Sequence, residues 1–240
     1  MKALAEKLIS WIREQVHLAG CEGVVVGLSG GVDSSVTAVL CKKAFPNNSL
    51  VVILPCHSDP GDIESARLVA EKFDIDSTTV VLDEVFDLLL PKLSAADSCS
   101  RRKEMAIANL KPRLRMIALY YFANSCNYLV VGTGNKSELT VGYFSKYGDG
   151  GVDIMPLGNL LKTQVRELAR ELGIPKEIIE KPPSAGLWRG QTDEEELGVT
   201  YEELDQYLLT GKASREIKDK IDRLIEASVH KRQMPPVPSF

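Results

Sequence analysis

The sequence predicts an α/β fold, a Rossmann-like three-layer α/β/α arrangement with a parallel sheet, followed by a helical C-terminal part. Three observations carry this. Short apolar runs of the kind that form strands buried on both faces alternate with helical patterns through the first third of the chain. The first of those runs empties into a glycine-rich turn that leads straight into a helix. The 240 residues, 44% hydrophobic and 26% charged, hold enough apolar side chain for one large domain or at most two small ones.

Taken in order, Leu4, Leu8, Trp11, Ile12 and Val16 recur at helical spacing, so a helix occupies residues 1–20. Residues 23–28 read as a first strand, and the turn Ser29-Gly30-Gly31 opens a helix over residues 33–44. A second strand at 50–54, a helix at 63–73 and a third strand at 78–82 complete a β-α-β-α-β series, the pattern of a parallel sheet. A long helical stretch over 101–125 contains Pro112, whose missing N–H costs about 3 kcal/mol in a helix interior and predicts a break or kink. Residues 128–131 form a fourth strand, which opens into the polar loop Gly132-Thr-Gly-Asn-Lys-Ser-Glu138.

Most of the remainder reads as helix. Thr192 with Glu195 and Thr200 with Glu203 match the capping box, in which hydroxyl and carboxylate satisfy each other's backbone donors, so the acidic cluster 193–196 reads as helix-start chemistry. Segment 181–193, with two prolines and two glycines, reads as a mobile lid, because long loops inside compact domains are usually functional or disordered. Residues 213–240 are a last helix, with Ile217, Ile221, Leu224 and Ile225 as its apolar stripe, and a proline-rich tail. Nothing divides the chain, which reads as a single domain over 1–240.

Charge and cysteine usage exclude several functions. Residues 1–120 carry 14 basic and 15 acidic side chains and residues 121–240 carry 15 and 18, so the net charge of −4 is evenly spread and offers no footprint for nucleic acid. Any anion must be held by local groups. The five cysteines (Cys21, Cys41, Cys56, Cys99, Cys126) form no CxxC pair, which argues against disulfides or structural zinc and places each thiol at or near the core. Charged Lys2, Glu6, Lys7, Arg13 and Glu14 leave no signal-peptide core at the N-terminus, and no window is long and apolar enough to span a bilayer. A soluble, cytoplasmic protein without a membrane partner is expected.

The strongest local signal is the run Gly27, Leu28, Ser29, Gly30, Gly31, Val32, Asp33, Ser34 between first strand and helix. Glycines there let backbone approach a phosphate, and a helix N-terminus supplies unpaired N–H donors and the positive end of its dipole. No lysine precedes the serine, so this is not a Walker loop, and the spacing of a dinucleotide fingerprint is missing. Asp33 would repel phosphates unless a magnesium ion stood between them, which points to a Mg²⁺-bound polyphosphate and pyrophosphate as leaving group.

The run from Ser29 to Ser34 resembles the pyrophosphate loop of the ATP pyrophosphatases, which cleave ATP between the α and β phosphates. Gly132-Thr-Gly-Asn-Lys-Ser-Glu138, Gly142-Tyr-Phe-Ser-Lys-Tyr-Gly-Asp-Gly-Gly-Val-Asp153, Pro156-Leu157 with Lys162, the segment from Pro183 to Glu194 and His230-Lys231-Arg232 resemble NAD synthetases in the same order, over essentially the whole chain. The resemblance implies the last step of NAD biosynthesis: adenylation of the nicotinate carboxylate of deamido-NAD by ATP, release of pyrophosphate, and displacement of AMP by ammonia. It implies ATP contacts from Gly27 through Ser34 and from Thr133, Lys162 and Ser184. It implies deamido-NAD contacts from Arg113, Lys146, Asp153, His230 and Lys231, magnesium ligands in Asp33 and Glu138, and a homodimer. Some members carry threonine where this chain has Ser184. Asp33 and Lys162 are expected to act at the phosphates, and Asp149 is the candidate that binds and deprotonates ammonium. Only about twenty residues precede the first strand, too few for a glutaminase domain, so free ammonia is the expected nitrogen donor. A tRNA-modifying ATP pyrophosphatase would want a basic surface and cysteine pairs, and a non-catalytic nucleotide-binding module would not need both Asp33 and Glu138. For dimerisation, Ile107, Leu110, Leu114, Ile117, Ala118, Tyr121 and Phe122 supply apolar surface at helical spacings.

Overall fold

The computed structural model describes residues 1–97, 103–188 and 190–239. Helix α1 (Lys2–Leu18) leads to β1 (Gly23–Gly27), α2 (Val32–Ala44), β2 (Ser49–Ile53), α3 (Pro60–Lys72) and β3 (Ser77–Thr79). Then come α4 (Asp83–Ala96), α5 (Lys103–Cys126), β4 (Tyr128–Val131), α6 (Lys136–Val141), α7 (Lys162–Leu172), α8 (Lys176–Ile179), α9 (Asp193–Leu197), α10 (Tyr201–Thr210) and α11 (Arg215–Ala227). The strands form one parallel sheet in the order β3-β2-β1-β4. Chain order runs outward from β1 through β2 to β3, then jumps to the other side of β1 for β4. The crevice between the carboxyl ends of β1 and β4 is therefore a topological switch point, where open α/β sheets bind ligands.

Alternation along the strands divides the core. Val24, Val26, Val51 and Ile53 face one side with α1, α2 and α7, including Ile12, Val16, Leu40 and Leu168. Val25, Val52 and Val130 face the other with α4 and α5. A third cluster around Tyr201, Leu204 and Ile221 packs the last helices against Val141 of α6.

Several sequence expectations change on contact with the structure. Helix α5 runs without interruption through Pro112, whose ring is buried and packs beside Gly148. Tertiary packing of the ring offsets the missing hydrogen bond, so of the expected break or kink no break occurs. Its predicted start at Arg101 and the thiol of Cys99 lie outside the described residues. Helix α4 has no counterpart in the sequence reading, and β3 ends at Thr79, although the Val80 and Leu82 N–H groups still reach the carbonyls of Ile53 and Pro55. Cys41 and Cys56 are buried as expected and Cys21 partly so, but Cys126 is exposed at the end of α5.

Gly30 fixes how the turn after β1 sits. Its φ is +84°, and a Cβ there would lie 2.2 Å from the carbonyl oxygen of Asp62 at the start of α3. Only glycine accommodates both. Gly30→Ala should lower stability by about 1–3 kcal/mol in urea titration; an unchanged midpoint would mean that the turn relaxes freely.

Candidate active site

The turn after β1 closes on itself. Ser34 Oγ accepts the Ser29 backbone N–H at 3.2 Å and donates to the Gly31 carbonyl at 3.0 Å, and Ser35 Oγ donates to the same carbonyl at 2.7 Å. Gly31 is the N-cap of helix α2 and no side chain caps that end, so its first-turn N–H groups lack a side-chain acceptor at the crevice. Asp33 stands in that first turn.

Across the crevice, Asn135 and Glu138 form a capping box at the start of α6. The Asn135 side chain accepts the Glu138 N–H at 3.0 Å, and Glu138 Oε2 accepts the Asn135 N–H at 3.2 Å. Helix-start chemistry therefore aims the remaining oxygen, Oε1, into the site. Asn135 is fully buried and donates its amide to Asp33 Oδ1 at 2.9 Å, tying the two motifs together.

Lys162 completes the cluster. Its ammonium lies 2.5 Å from Asp33 Oδ2 and 2.9 Å from Glu138 Oε1, with the side chain only 3% exposed. It sits as first residue of α7, an unfavourable end of the dipole for a cation, and the two carboxylates outweigh that. Buried Asp205 anchors the turn by accepting the Thr163 N–H at 2.8 Å and bonding the Ser137 hydroxyl, which in turn accepts the Lys162 N–H at 3.1 Å. The Tyr201 ring lies 4.8 Å from the Lys162 ammonium, and its hydroxyl donates to Asp193 Oδ2 at 3.0 Å and to Glu138 Oε1 at 3.3 Å.

Two carboxylates thus share one ammonium, with Asp193 close enough to act on it. Burial would lower the pKa of Lys162, but Asp33 and Glu138 outweigh it and raise it. Burial also raises Glu138 and Asp193, with Lys162 opposing in both cases. Asp193 Oδ1 has no hydrogen-bond partner although the residue is buried. The site is short of positive charge, and Asp33 and Glu138 already hold one cation between them. That donor set fits magnesium, which is held by one or two carboxylates and completes its shell with phosphate and water.

The other residues singled out by sequence fall into two groups. Arg113, Lys146, His230 and Lys231 come together: Arg113 donates to the Lys146 carbonyl at 3.4 Å, and Lys146 Nζ donates to the His230 carbonyl at 2.6 Å. Lys231 donates to the carbonyls of Gly142 and Phe144, both at 2.7 Å, while Arg232 caps the carbonyls of Leu139, Thr140 and Ile225. Asp153 lies apart, holding the Tyr120 hydroxyl at 2.9 Å and the Val130 N–H at 2.8 Å. Asp149 accepts the Ser145 N–H at 2.9 Å. The protein packed around its carboxyl raises its pKa. Thr133 lies partly buried at the carboxyl end of β4, and Ser184, exposed, accepts the Gly186 N–H at 3.1 Å.

The described part of segment 181–193 is folded over the edge of the site. Lys181 pairs with Asp62, Lys111 donates to the Leu187 carbonyl at 2.8 Å, and the Asp193 N–H reaches the Pro183 carbonyl at 3.0 Å. Thr192 makes no side-chain cap, so of the two predicted capping boxes only that of Thr200 and Glu203 forms. Instead Asp193 turns inward. The sequence reading missed Asn135, Asp193, Tyr201, Lys111 and Arg115. Asn135 stood inside a motif already quoted, as the first residue of an Asn-x-x-Glu capping pattern.

A family model described as NAD synthase matches residues 4–235. The chain belongs to the NAD synthase family. An NH(3)-dependent NAD(+) synthetase of Carboxydothermus hydrogenoformans is 54% identical over 97% of this chain and 96% of its own length. Among solved structures, NMN synthetase from Francisella tularensis superposes with a TM-score of 0.94 at 38% identity, covering 100% of this chain and 98% of that one. The NH3-dependent NAD synthetase of Campylobacter jejuni gives 0.81 at 27% identity, covering 99% and 98%. Membership accords with the Rossmann-like sheet and its switch-point crevice.

A carboxyl whose pKa is higher in the folded than in the unfolded chain binds its proton more tightly when folded, so its contribution to stability falls as pH rises between the two values. Glu138 is such a group, rising from 4.5. Removing it by Glu138→Gln should flatten the decline of Tm from about pH 5 toward neutrality in the ligand-free protein. An unaltered slope would mean that Glu138 does not titrate there.

Proposed function

We propose that this chain is an ammonia-dependent NAD synthetase, adenylating the nicotinate carboxylate of deamido-NAD with ATP and displacing AMP with ammonia. One observation carries the reading: Asp33 and Glu138, 105 positions apart, converge on a single cation at the carboxyl ends of β1 and β4. Relatives named as NH(3)-dependent synthetases at about half identity over nearly full length support it.

The uncapped start of α2 and the glycine turn, Gly27 through Ser34, receive the β and γ phosphates. Asp33 and Glu138 would hold magnesium, which would supply charge neutralisation for the departing pyrophosphate. Lys162 then turns from the carboxylates to the phosphates, where developing charge is greatest. Thr133 and Ser184 flank the nucleotide, and segment 181–193 excludes water from the reactive acyl adenylate. Arg113, Lys146, His230 and Lys231 form the basic wall for deamido-NAD. Asp153 joins them only if its bonds to Tyr120 and Val130 are shared with substrate. Asp149 binds ammonium and takes a proton, leaving ammonia to attack the acyl carbon.

Among the described residues no helix is long and apolar enough to cross a membrane. A cytoplasmic setting, which supplies ATP and keeps exposed Cys126 reduced, suits this chemistry. A homodimer across α5 is the proposed assembly, since Ile117 and Tyr121 lie one turn apart on that helix and are 61% and 68% exposed.

The likeness to an NMN synthetase favours a second reading, in which the substrate is the mononucleotide. Both readings share the adenylation chemistry and differ only in whether the wall of Arg113, Lys146 and His230 meets a second nucleotide.

Purified protein should convert ATP to AMP and pyrophosphate in step with NAD formation, requiring both deamido-NAD and ammonia. Preference for deamido-NMN over deamido-NAD would select the second reading, and turnover without either would defeat both. Asp33→Asn should reduce kcat by about 100-fold or more, whereas Asp149→Asn should act mainly at limiting ammonia. Ile117→Glu with Tyr121→Glu should turn a dimer into a monomer in sedimentation; a dimer that survives both changes lies on another face.

A further inference from the structure

Two further cations on α5 enter no ion pair among the described residues. Lys111 and Arg115 stand one turn apart on α5, and Lys111 is 7% exposed. Lys111 donates to the Leu187 carbonyl at 2.8 Å and lies 5.8 Å from the centre of the Phe86 ring. Arg115 donates to the Leu54 carbonyl at 3.0 Å and to Ser58 Oγ at 3.2 Å. Their partners are all neutral. Both cations act on Cys56, but that thiol is itself buried and burial raises its pKa, so it supplies no charge.

The carboxylates within electrostatic reach are engaged elsewhere. Asp62 pairs with Lys181. Asp83 accepts the His57 N–H at 2.7 Å, and Asp87 is bonded to His57 Nε2 at 2.8 Å. Asp149 holds the Ser145 N–H. Among the described residues neither Lys111 nor Arg115 enters an ion pair. Desolvating a charge costs several kcal/mol unless an opposite charge offsets it, and here two like charges also repel each other. Burial accordingly lowers the pKa of both. A fold that retains such a pair gains from it when an anion arrives.

We infer that Lys111 and Arg115 form a phosphoryl subsite at the carboxyl end of β2 that receives the adenylyl phosphate, first as the α-phosphate of ATP and then as the phosphate of the acyl adenylate. The inference rests on the synthetase reading above. Position supports it. The turn after β1 holds the phosphates that leave as pyrophosphate, and β2 is the adjoining strand, about 4.8 Å away. The next phosphoryl group along the nucleotide falls towards Leu54, Cys56 and Ser58, the neighbours of Arg115. Lys111, through Leu187, ties the same subsite to segment 181–193, so an occupied subsite and a closed segment reinforce each other.

In the first step a carboxylate oxygen of nicotinate forms a bond to the α-phosphorus while the bond to the bridging oxygen breaks and pyrophosphate leaves with the electron pair. The two cations face the charge that accumulates on the non-bridging oxygens. In the second, ammonia bonds to the acyl carbon, the acyl C–O bond breaks, AMP leaves with that electron pair, and the surplus protons pass to Asp149 and solvent.

Calorimetry with AMP and with adenosine isolates the phosphoryl contribution. The wild-type protein should bind AMP at least tenfold more tightly than adenosine. Arg115→Gln and, separately, Lys111→Gln should each lose most of that ratio while adenosine affinity stays within about twofold, and Arg115→Lys should restore part of it. Pyrophosphate exchange into ATP, run with deamido-NAD and no ammonia, should fall in kcat with little change in the KM for deamido-NAD. Variants that keep the AMP preference, or that lose AMP and adenosine equally, overturn the subsite, as does a wild-type protein that binds both alike. Absence of pyrophosphate exchange in the wild-type protein would instead defeat the synthetase reading, and the AMP-to-adenosine ratio would still judge the subsite.

Discussion

The ammonium of Lys162, held between Asp33 and Glu138, is the interaction on which the rest of the site depends. It joins three segments that the sheet brings to one crevice: the turn after β1, the start of α6 after β4, and the start of α7. Burying an ion pair costs desolvation that only good geometry and further hydrogen bonds offset. Here Asn135 bonds Asp33, the capping box fixes Glu138, and Asp205 anchors the turn that carries Lys162. Without the ammonium, two carboxylates and nearby Asp193 would face one another in a desolvated pocket.

Charge is unbalanced in opposite senses along the same cleft. At the β1–β4 crevice, carboxylates outnumber cations; beside the end of β2, Lys111 and Arg115 are cations without a paired anion among the described residues. A metal-bound nucleotide carries cation and phosphate at a fixed spacing, so it can relieve both excesses at once. Evenly distributed net charge gives the molecule no long-range field to do this. Under the proposed reading, selectivity for such a ligand lies in local placement, beside which Lys111 and Asp62 bond Leu187 and Lys181.

What the sequence made legible was local. Eight consecutive residues, Gly27 through Ser34, occupy one strand-to-helix junction, so their pattern survives in one dimension. Glu138 could be placed at a helix start but not opposite Asp33, because that pairing depends on β4 lying beside β1, and strand order is not written in periodicity. Asp193 was read as helix-start acid by its neighbours; the structure turns it inward because Thr192 makes no cap and Tyr201 offers a hydroxyl. Pro112 misled in the other direction, since packing against the segment around Gly148 outweighs a lost backbone bond. Lys111 and Arg115 were hidden by their alternation with exposed Arg113, which drew attention as the family-matching residue.

The most direct measurement is a crystal structure with deamido-NAD, a non-hydrolysable ATP analogue and Mn²⁺, reading the metal by its anomalous signal. The account expects one peak within coordination distance of both an Asp33 and a Glu138 oxygen, with the Lys162 ammonium moved from between them onto a phosphate. A metal bound elsewhere, or a Lys162 still bridging the two carboxylates with nucleotide in place, would contradict it.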